Sequence, residues 1–200
     1  MLDKIQLDDE SFNTSENQLP CLISYADKTG GSHFSISFIA GLFLSGSKIL
    51  FLTAYPMATE NFIKQVGDSG LSVVHIESES DLVGNEEAQA IMIKSGDEDF
   101  FLKVVESLSD IDQRIVFVKN IEVFKGDTIK KCLGLEKIVL SGNVDKCELK
   151  EEILNNSYVT TILFNQPQAE MSYNVPQLKK YTGYLWGKDF EGVVKLKTNY

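Results

Sequence analysis

Short apolar runs alternate with segments of helical periodicity along most of this chain. The runs hold few polar residues, which is typical of strands buried on both faces of a parallel sheet. Between them, apolar residues recur every three or four positions, which predicts helices. The alternation therefore predicts an α/β fold whose parallel strands are joined by right-handed crossovers. The predicted strands occupy residues 21–25, 48–54, 71–76, 114–118, 137–141 and 160–164, and residues 88–93 fit either a short strand or a helical turn.

The predicted helices differ in how much of their surface is apolar. The helix that begins near Phe34 is apolar on almost every side, so it should lie inside the fold and end at Gly46. Thr59 is expected to cap the next helix, which carries a single apolar stripe. Further helices are predicted over residues 97–108, 128–133 and 149–154, and the acidic residues 77–87 are predicted to form a loop.

The two ends of the chain differ from this central pattern. Residues 1–18 are polar and acidic, and they predict an N-terminal arm or an edge strand. Residues 19–200 are expected to form a single domain, because a chain of 200 residues can bury one well-packed core. Residues 181–185 and 192–196 flank a turn with Gly187 and Asp189, which predicts a C-terminal antiparallel β-hairpin.

Charge and composition argue against nucleic acids and membranes as partners. The formal net charge is −10 and the pI is about 4.7, so the field of the protein repels phosphate backbones and nucleic-acid binding is not expected. The acidity favours solubility or a basic partner. The first residues lack the apolar core of a secretory signal, and the longest apolar stretch, residues 36–44, is too short to span a bilayer. Three cysteines without metal-ligand spacing fit reduced thiols, so a cytoplasmic protein with no membrane contact is expected.

The turn between the first predicted strand and the buried helix has the position of a phosphate-binding loop. In the Walker A pattern, G-x-x-x-x-G-K-[ST], backbone N–H groups hold phosphates, the lysine neutralises their charge and the hydroxyl binds Mg²⁺. Aligned on Gly31, the first glycine becomes Ala26, the lysine becomes Ser32 and the hydroxyl residue becomes His33. The pattern therefore predicts the shape of the loop without its chemistry.

Anion binding at this turn remains an open hypothesis. A glycine pair before a helix N-terminus can bind an anion through backbone N–H groups and the helix dipole. Lys28 could replace the missing lysine from an earlier position, or it could be a solvated turn residue. His33 could pair with Asp27 or have only a structural role. The candidate cofactor-binding residues are Lys28, Thr29, Gly30, Gly31, Ser32 and His33.

The order of these elements resembles the RecA/KaiC-type P-loop ATPase core over about residues 20–198. The best local match is residues 29–56, and the tail at residues 184–194 resembles the closing hairpin of that family. The resemblance implies a three-layer RecA-like α/β domain with a mostly parallel sheet.

The same resemblance places three hydrolytic positions, and each holds an unsuitable residue. Ser32 replaces the Walker A lysine, and Tyr55-Pro56 stand where a water-activating glutamate is expected. The strand that should end in the Walker B aspartate ends in Lys119-Asn120, which puts a cation where Mg²⁺ would bind. In this the chain is similar in kind to the RecA-like subunits of the Elongator complex, which form rings without intact ATPase motifs.

Two functional hypotheses follow. The first is a non-catalytic RecA/KaiC-like domain that acts by protein–protein assembly or regulation, with protein partners or as a homo-oligomer. It has no catalytic residue, no metal site and no required cofactor. The alternative is a nucleotide-binding regulator or weak ATPase that binds phosphate or a nucleotide at the deviant loop.

Overall fold

A computed structural model describes most of the central part of the chain. It covers residues 5–7, 10–12, 15–93, 97–108, 111–164, 182–187 and 190–195, with side chains over 15–93, 97–108 and 111–164. All structural statements below concern these residues.

The centre of the molecule is a seven-stranded sheet in which every strand runs parallel to its neighbours. The spatial order is β7-β1-β6-β5-β2-β4-β3, so β6 lies between β1 and β5. The predicted α/β class with a parallel sheet is confirmed. In chain order the strands are β1 (Cys21–Tyr25), β2 (Ile49–Thr53), β3 (Val73–Ile76), β4 (Ala90–Ile93), β5 (Ile115–Lys119), β6 (Ile138–Gly142) and β7 (Thr160–Phe164).

Helices flank both faces of this sheet. Because strand side chains alternate between faces, Cys21 and Ile23 pack with α1 and α2, whereas Leu22 packs with the other helices. The predicted internal position of α1 is confirmed, since most of its residues are buried. The helices are α1 (Gly31–Leu44), α2 (Pro56–Val66), α3 (Glu79–Leu82), α4 (Glu98–Ser107), α5 (Gly126–Leu133) and α6 (Lys150–Asn155).

Three local predictions are settled by the structure. Thr59 does not cap α2, because the helix already begins at Pro56, and the Thr59 hydroxyl donates to the Pro56 carbonyl at 2.6 Å. A proline fits the first helical turn, where no N–H is needed. The acidic stretch is not all loop, since a capping box between Ser78 and Asp81 starts the one-turn helix α3. Within residues 88–93, which fit either a strand or a helical turn, Ala90–Ile93 form the strand β4.

The structure does not test the predictions made for the two ends of the chain. Strand backbone is assigned at Ile5–Leu7, Glu10–Phe12, Thr182–Gly187 and Phe190–Lys195, where no side chain is described. The predicted N-terminal arm, the closing hairpin and the division at residue 19 remain untested.

Parallel pairing brings the carboxyl ends of all seven strands to one edge of the sheet. The turns that follow β1, β2 and β5 therefore lie at that edge, which is where open α/β sheets bind ligands. No helix among the described residues has the length and hydropathy needed to cross a bilayer.

Candidate functional site

The turn between β1 and α1 has the backbone shape of an anion-binding loop. Lys28 and Gly30 adopt left-handed conformations, with φ of 61° and 91°. The Thr29 hydroxyl closes the turn by donating to the Ala26 carbonyl at 2.7 Å. Gly30 precedes α1 and gives no side-chain cap, so the first N–H groups of the helix remain open to a ligand.

Gly31 is required by the close approach of Tyr25. A Cβ atom built at Gly31 would lie 2.4 Å from Cβ of Tyr25 and 2.7 Å from its Cγ. Only a glycine lets the start of α1 pack this closely against the end of β1. Gly31 thus has a structural role beneath the loop.

The loop forms one wall of a pocket of about 340 Å³. Of the six residues predicted to bind a cofactor, Lys28, Thr29, Gly30, Ser32 and His33 line it, whereas Gly31 does not. Other elements complete the wall with Asn61 of α2 and with Asn120 and Glu122, which follow β5. The volume is at the lower end of the range for small-molecule sites.

Lys119 contacts Tyr25, which is one of the residues that line this pocket. It is in phase with Ile115 and Phe117, so its side chain points to the α1 side of the sheet, as that of Tyr25 does. Its ammonium donates a hydrogen bond to the Tyr25 hydroxyl and lies 4.4 Å from the centroid of the Tyr25 ring. Both side chains are buried. The residue expected to bind a metal instead supplies a cation, and that cation contacts an aromatic ring.

A small residue on the intervening strand permits this contact. Ser141 of β6 pairs with Lys119 on one side and with Ile23 on the other. Because it points to the same face and is short, it leaves room for Lys119 and Tyr25 to meet across β6.

Burial changes the protonation of both partners. It lowers the pKa of Lys119 to about 7, against the opposing charge of Glu122. It raises the pKa of Tyr25 to about 12, an effect that Glu122 strengthens and the Ser141, Ser32 and Ser35 hydroxyls oppose. Within the part of the chain that the structure describes, no carboxylate oxygen lies within 4.0 Å of the Lys119 ammonium.

Glu122 is the pocket residue that the sequence analysis missed. Its carboxylate accepts the Asn143 backbone N–H at 2.9 Å, and Asn120 Nδ2 lies 3.5 Å away. Asn120 turns the chain with φ of 64°, which brings Glu122 back over the end of the sheet. The signal available in the sequence was an acidic residue three positions after the strand, beyond an asparagine that tolerates this conformation.

The turn after β2 offers no proton acceptor to the site. Tyr55 is about half exposed, and its N–H donates to the Thr53 hydroxyl at 3.1 Å. Pro56 begins α2. Tyr55 and Pro56, which stand where the resemblance leads us to expect a glutamate, therefore form the turn that starts α2.

An exposed ion pair and the exposed side chains of Lys28 and His33 lie at the rim of the pocket. Asp27 pairs with Lys146 at 3.2 Å, across the turn that follows β6. Lys28 and His33 are exposed at the loop. Asp27 therefore pairs with Lys146, and no hydrogen bond between Asp27 and His33 is found among the described residues.

Comparison with solved structures identifies the fold. The chain is similar to the genome packaging NTPase B204 of Sulfolobus turreted icosahedral virus 2 in complex with AMPPCP, with a TM-score of 0.62 and 14% identity over 88% of this chain and 96% of that one. It is also similar to the cytoplasmic domain of EssC, with a TM-score of 0.55 and 10% identity over 97% of this chain and 42% of that one. The pCW3 conjugation coupling protein TcpA with ATPγS matches with a TM-score of 0.50 and 12% identity, over 96% of this chain and 64% of that one. No family model and no curated protein matches the chain.

The magnesium ion that nucleotide hydrolysis requires in P-loop proteins does not fit these residues. A hard cation needs oxygen ligands, and the buried ammonium of Lys119 would repel it. Across the described residues, no group of three histidines, cysteines or carboxylates is arranged to bind a metal.

The sheet order, the loop before α1 and the structural neighbours together show that this chain has the fold of P-loop NTPases.

Proposed function

We propose that this chain is a RecA/KaiC-like P-loop domain that does not hydrolyse nucleotides and acts through contacts with proteins or with other copies of itself. The observation that carries the proposal is the contact between the Lys119 ammonium and Tyr25, at the end of β5. Hydrolysis needs a fixed cation on the loop and a fixed acid on this strand. Here the loop has the neutral Ser32 in place of the cation, and the strand has the cation Lys119 in place of the acid.

Exposed apolar residues at the same edge support a role in protein contacts. Tyr55 and Met57 follow β2, Val123 follows β5, and these two strands are neighbours in the sheet. Met57 is 69% exposed. A surface methionine beside an aromatic residue is typical of interfaces.

The first test measures ATP turnover by the purified chain. Phosphate release with Mg-ATP should not exceed that of a blank without protein. Steady release that disappears in the Glu122→Gln variant would refute the proposal, because it would show that the pocket itself supplies the catalytic acid.

The second test measures the mass of the purified chain by light scattering. The proposed self-association predicts a multiple of 22.4 kDa that Met57→Glu lowers. Val83→Glu is the matched control, because Val83 is 75% exposed and follows α3, which comes after the edge strand β3, and β4 separates that strand from β2. A monomer at all concentrations would exclude self-association, and the proposal would then require a different protein as the partner.

Glu122 favours a second candidate, a nucleotide-binding regulator or weak ATPase. The pocket joins Lys28 with a carboxylate, which are the two charges that the alternative requires. Mg-ATP at one hundred times its Kd should then raise the free energy of unfolding by about 2.7 kcal/mol. Lys28→Met and Glu122→Gln should both abolish this gain, and no stabilisation at saturating Mg-ATP would exclude the candidate.

A further inference from the structure

An open groove of about 610 Å³ lies between α1 and α2. Both helices follow the carboxyl ends of parallel strands and pack on the same face of the sheet, so they run side by side in the same direction. The groove meets the loop pocket at His33 and Asn61, which line both, and extends from there to Leu44 and Ser69. It is therefore a second recess, which begins beside the loop and follows the two helices away from it.

The floor of this groove is made by small residues of α1. Bulky apolar residues occupy the other sides of the helix, whereas Ser37, Ala40 and Gly41 occupy the side that lines the groove. They share one side because residues three and four apart are neighbours on a helix surface. A glycine inside a helix is unfavourable relative to alanine, so Gly41 calls for a packing reason, such as the close approach of another molecule.

Ser37 points to such a molecule independently. It is only 8% exposed, and its hydroxyl has no hydrogen-bond partner among the described residues. Ser35, in the same helix, instead donates to the Ser32 carbonyl at 2.9 Å. Because a buried hydroxyl without a partner costs free energy, Ser37 favours an occupant that brings a polar group to the floor of the groove.

Met57 is a protrusion on the same surface. It is 69% exposed and lies one turn before Asn61 and two turns before Lys64, so it shares the side of α2 that forms the groove wall. Since His33 and Asn61 lie at one level, Met57 and Ala40 are separated by roughly 16 Å along the helices, at 1.5 Å per residue. A protrusion and a recess on one surface are what a two-fold symmetric interface between identical chains requires.

The charges beside the groove suit a second copy of this chain. Two chains of net charge −10 repel each other wherever carboxylates meet. Glu60 and Lys64 are exposed, one turn apart on α2, and neither has an ion-pair partner among the described residues. If two copies of α2 cross antiparallel about the midpoint of this pair, each Glu60 meets Lys64 of the other copy. The same axis brings Met57 of each copy to the level of Ala40 in the other, and Glu60 close to the level of Ser37.

We infer that two copies of this chain pack through α1 and α2 about a two-fold axis, with Met57 of each copy in the groove of the other and Glu60 against Lys64. The inference rests on the proposed function and names the surface and the partner through which it acts. Because every contact occurs twice, the interface closes at a dimer and leaves no free groove for a filament.

The first test measures the Kd of the dimer by sedimentation equilibrium of the full chain. The wild type should reach twice 22.4 kDa. Lys64→Glu should weaken the dimer at least about tenfold, since it sets like charges against each other at two symmetric places. Adding Glu60→Lys to this variant should restore the affinity, because the charges are then exchanged. Lys130→Glu is the matched control with the same change in net charge, on α5 at the other face of the sheet, and it should leave the Kd within about twofold of the wild type.

The second test checks the antiparallel orientation by cross-linking. Met57→Cys and Leu44→Cys each replace an exposed side chain, so both variants should fold. A short bis-maleimide should give covalent dimers in a mixture of the two variants, and neither variant should give them alone.

Several outcomes would overturn the inference: equal effects of Lys64→Glu and Lys130→Glu, no rescue by Glu60→Lys, or no cross-link in the mixture. A monomer at all concentrations would overturn it as well, while the proposed function would survive with a different protein as the partner. ATP turnover by the dimer would instead refute the proposed function and leave the dimer interface in place.

Discussion

The carboxyl ends of β1 and β5 differ from the Walker motifs in opposite ways. The turn after β1 has the backbone shape of a phosphate loop, with left-handed Lys28 and Gly30 before a helix without a side-chain cap. It has Ser32 at the position where the Walker A lysine is expected. The end of β5 has gained a lysine where an acid is expected. Considered separately, each is a lesion. Considered together, the two strand ends meet in one contact between Tyr25 and Lys119, so differences from a motif are better interpreted in pairs than one at a time.

The largest expected effect is a loss of stability when Gly31, which follows β1, is replaced. Gly31→Ala should lower the free energy of unfolding by on the order of 3 kcal/mol, because the new Cβ would meet Cβ of Tyr25 at 2.4 Å. Chemical denaturation measures this loss. Gly67→Ala is the control, since its φ is −58° and no atom lies within 4 Å of a Cβ there. Equal stability of Gly31→Ala and wild type would show that α1 does not pack as described.

The second largest effect is the pH dependence of stability that Lys119, at the end of β5, should cause. Burial lowers the pKa of Lys119 to about 7 from 10.5, so the unfolded chain binds more protons than the folded one between these values. The free energy of unfolding should therefore rise with pH in this window and fall as the pH approaches 7. Relative to Lys119→Met, the rise between pH 7 and 9 should be about 2 kcal/mol. Parallel pH curves for the two proteins would show that Lys119 is solvated.

A double-mutant cycle measures whether the two strand ends are coupled. Tyr25→Phe removes the hydroxyl and Lys119→Met removes the ammonium, and both keep the volume of the side chain. If the hydrogen bond stabilises the fold, the coupling energy should be about 1 kcal/mol. Strictly additive losses would mean that the two residues are neighbours without an interaction.

The smallest effect concerns the rim of the loop. Lys146→Met removes the ion pair with Asp27, whose side chain is 80% exposed, so the free energy of unfolding should change by less than about 0.5 kcal/mol. The change should vanish at high salt. A loss above 1 kcal/mol would place this pair among the contacts that fix the loop.

Much of the fold could be predicted because it depends on local pattern. Continuous apolar runs such as residues 115–118 are best buried between two helical layers, so they indicate parallel strands directly. Helix starts were harder to predict, since proline at position 56 and threonine at position 59 are both favourable near an N-terminus. The untested ends of the chain stay predictions.

The candidate site was predictable only in part, for a physical reason. The loop residues are contiguous in sequence and were identified from their glycines. The contact between Tyr25 and Lys119 joins residues 94 positions apart, and it depends on strand order and on a serine in a third strand. Glu122 reaches the pocket through a left-handed asparagine, a conformation that residue patterns permit but do not require.

The sheet order also has a consequence for biosynthesis. Cys21 at the start of β1 forms its ladder with Val139 and Thr160, which leave the ribosome more than a hundred residues later. At cellular rates of translation this delay is on the order of ten seconds. The glycine turn is synthesised before the strands that lie on either side of β1, so a nascent chain that stops before residue 138 lacks both neighbours of β1.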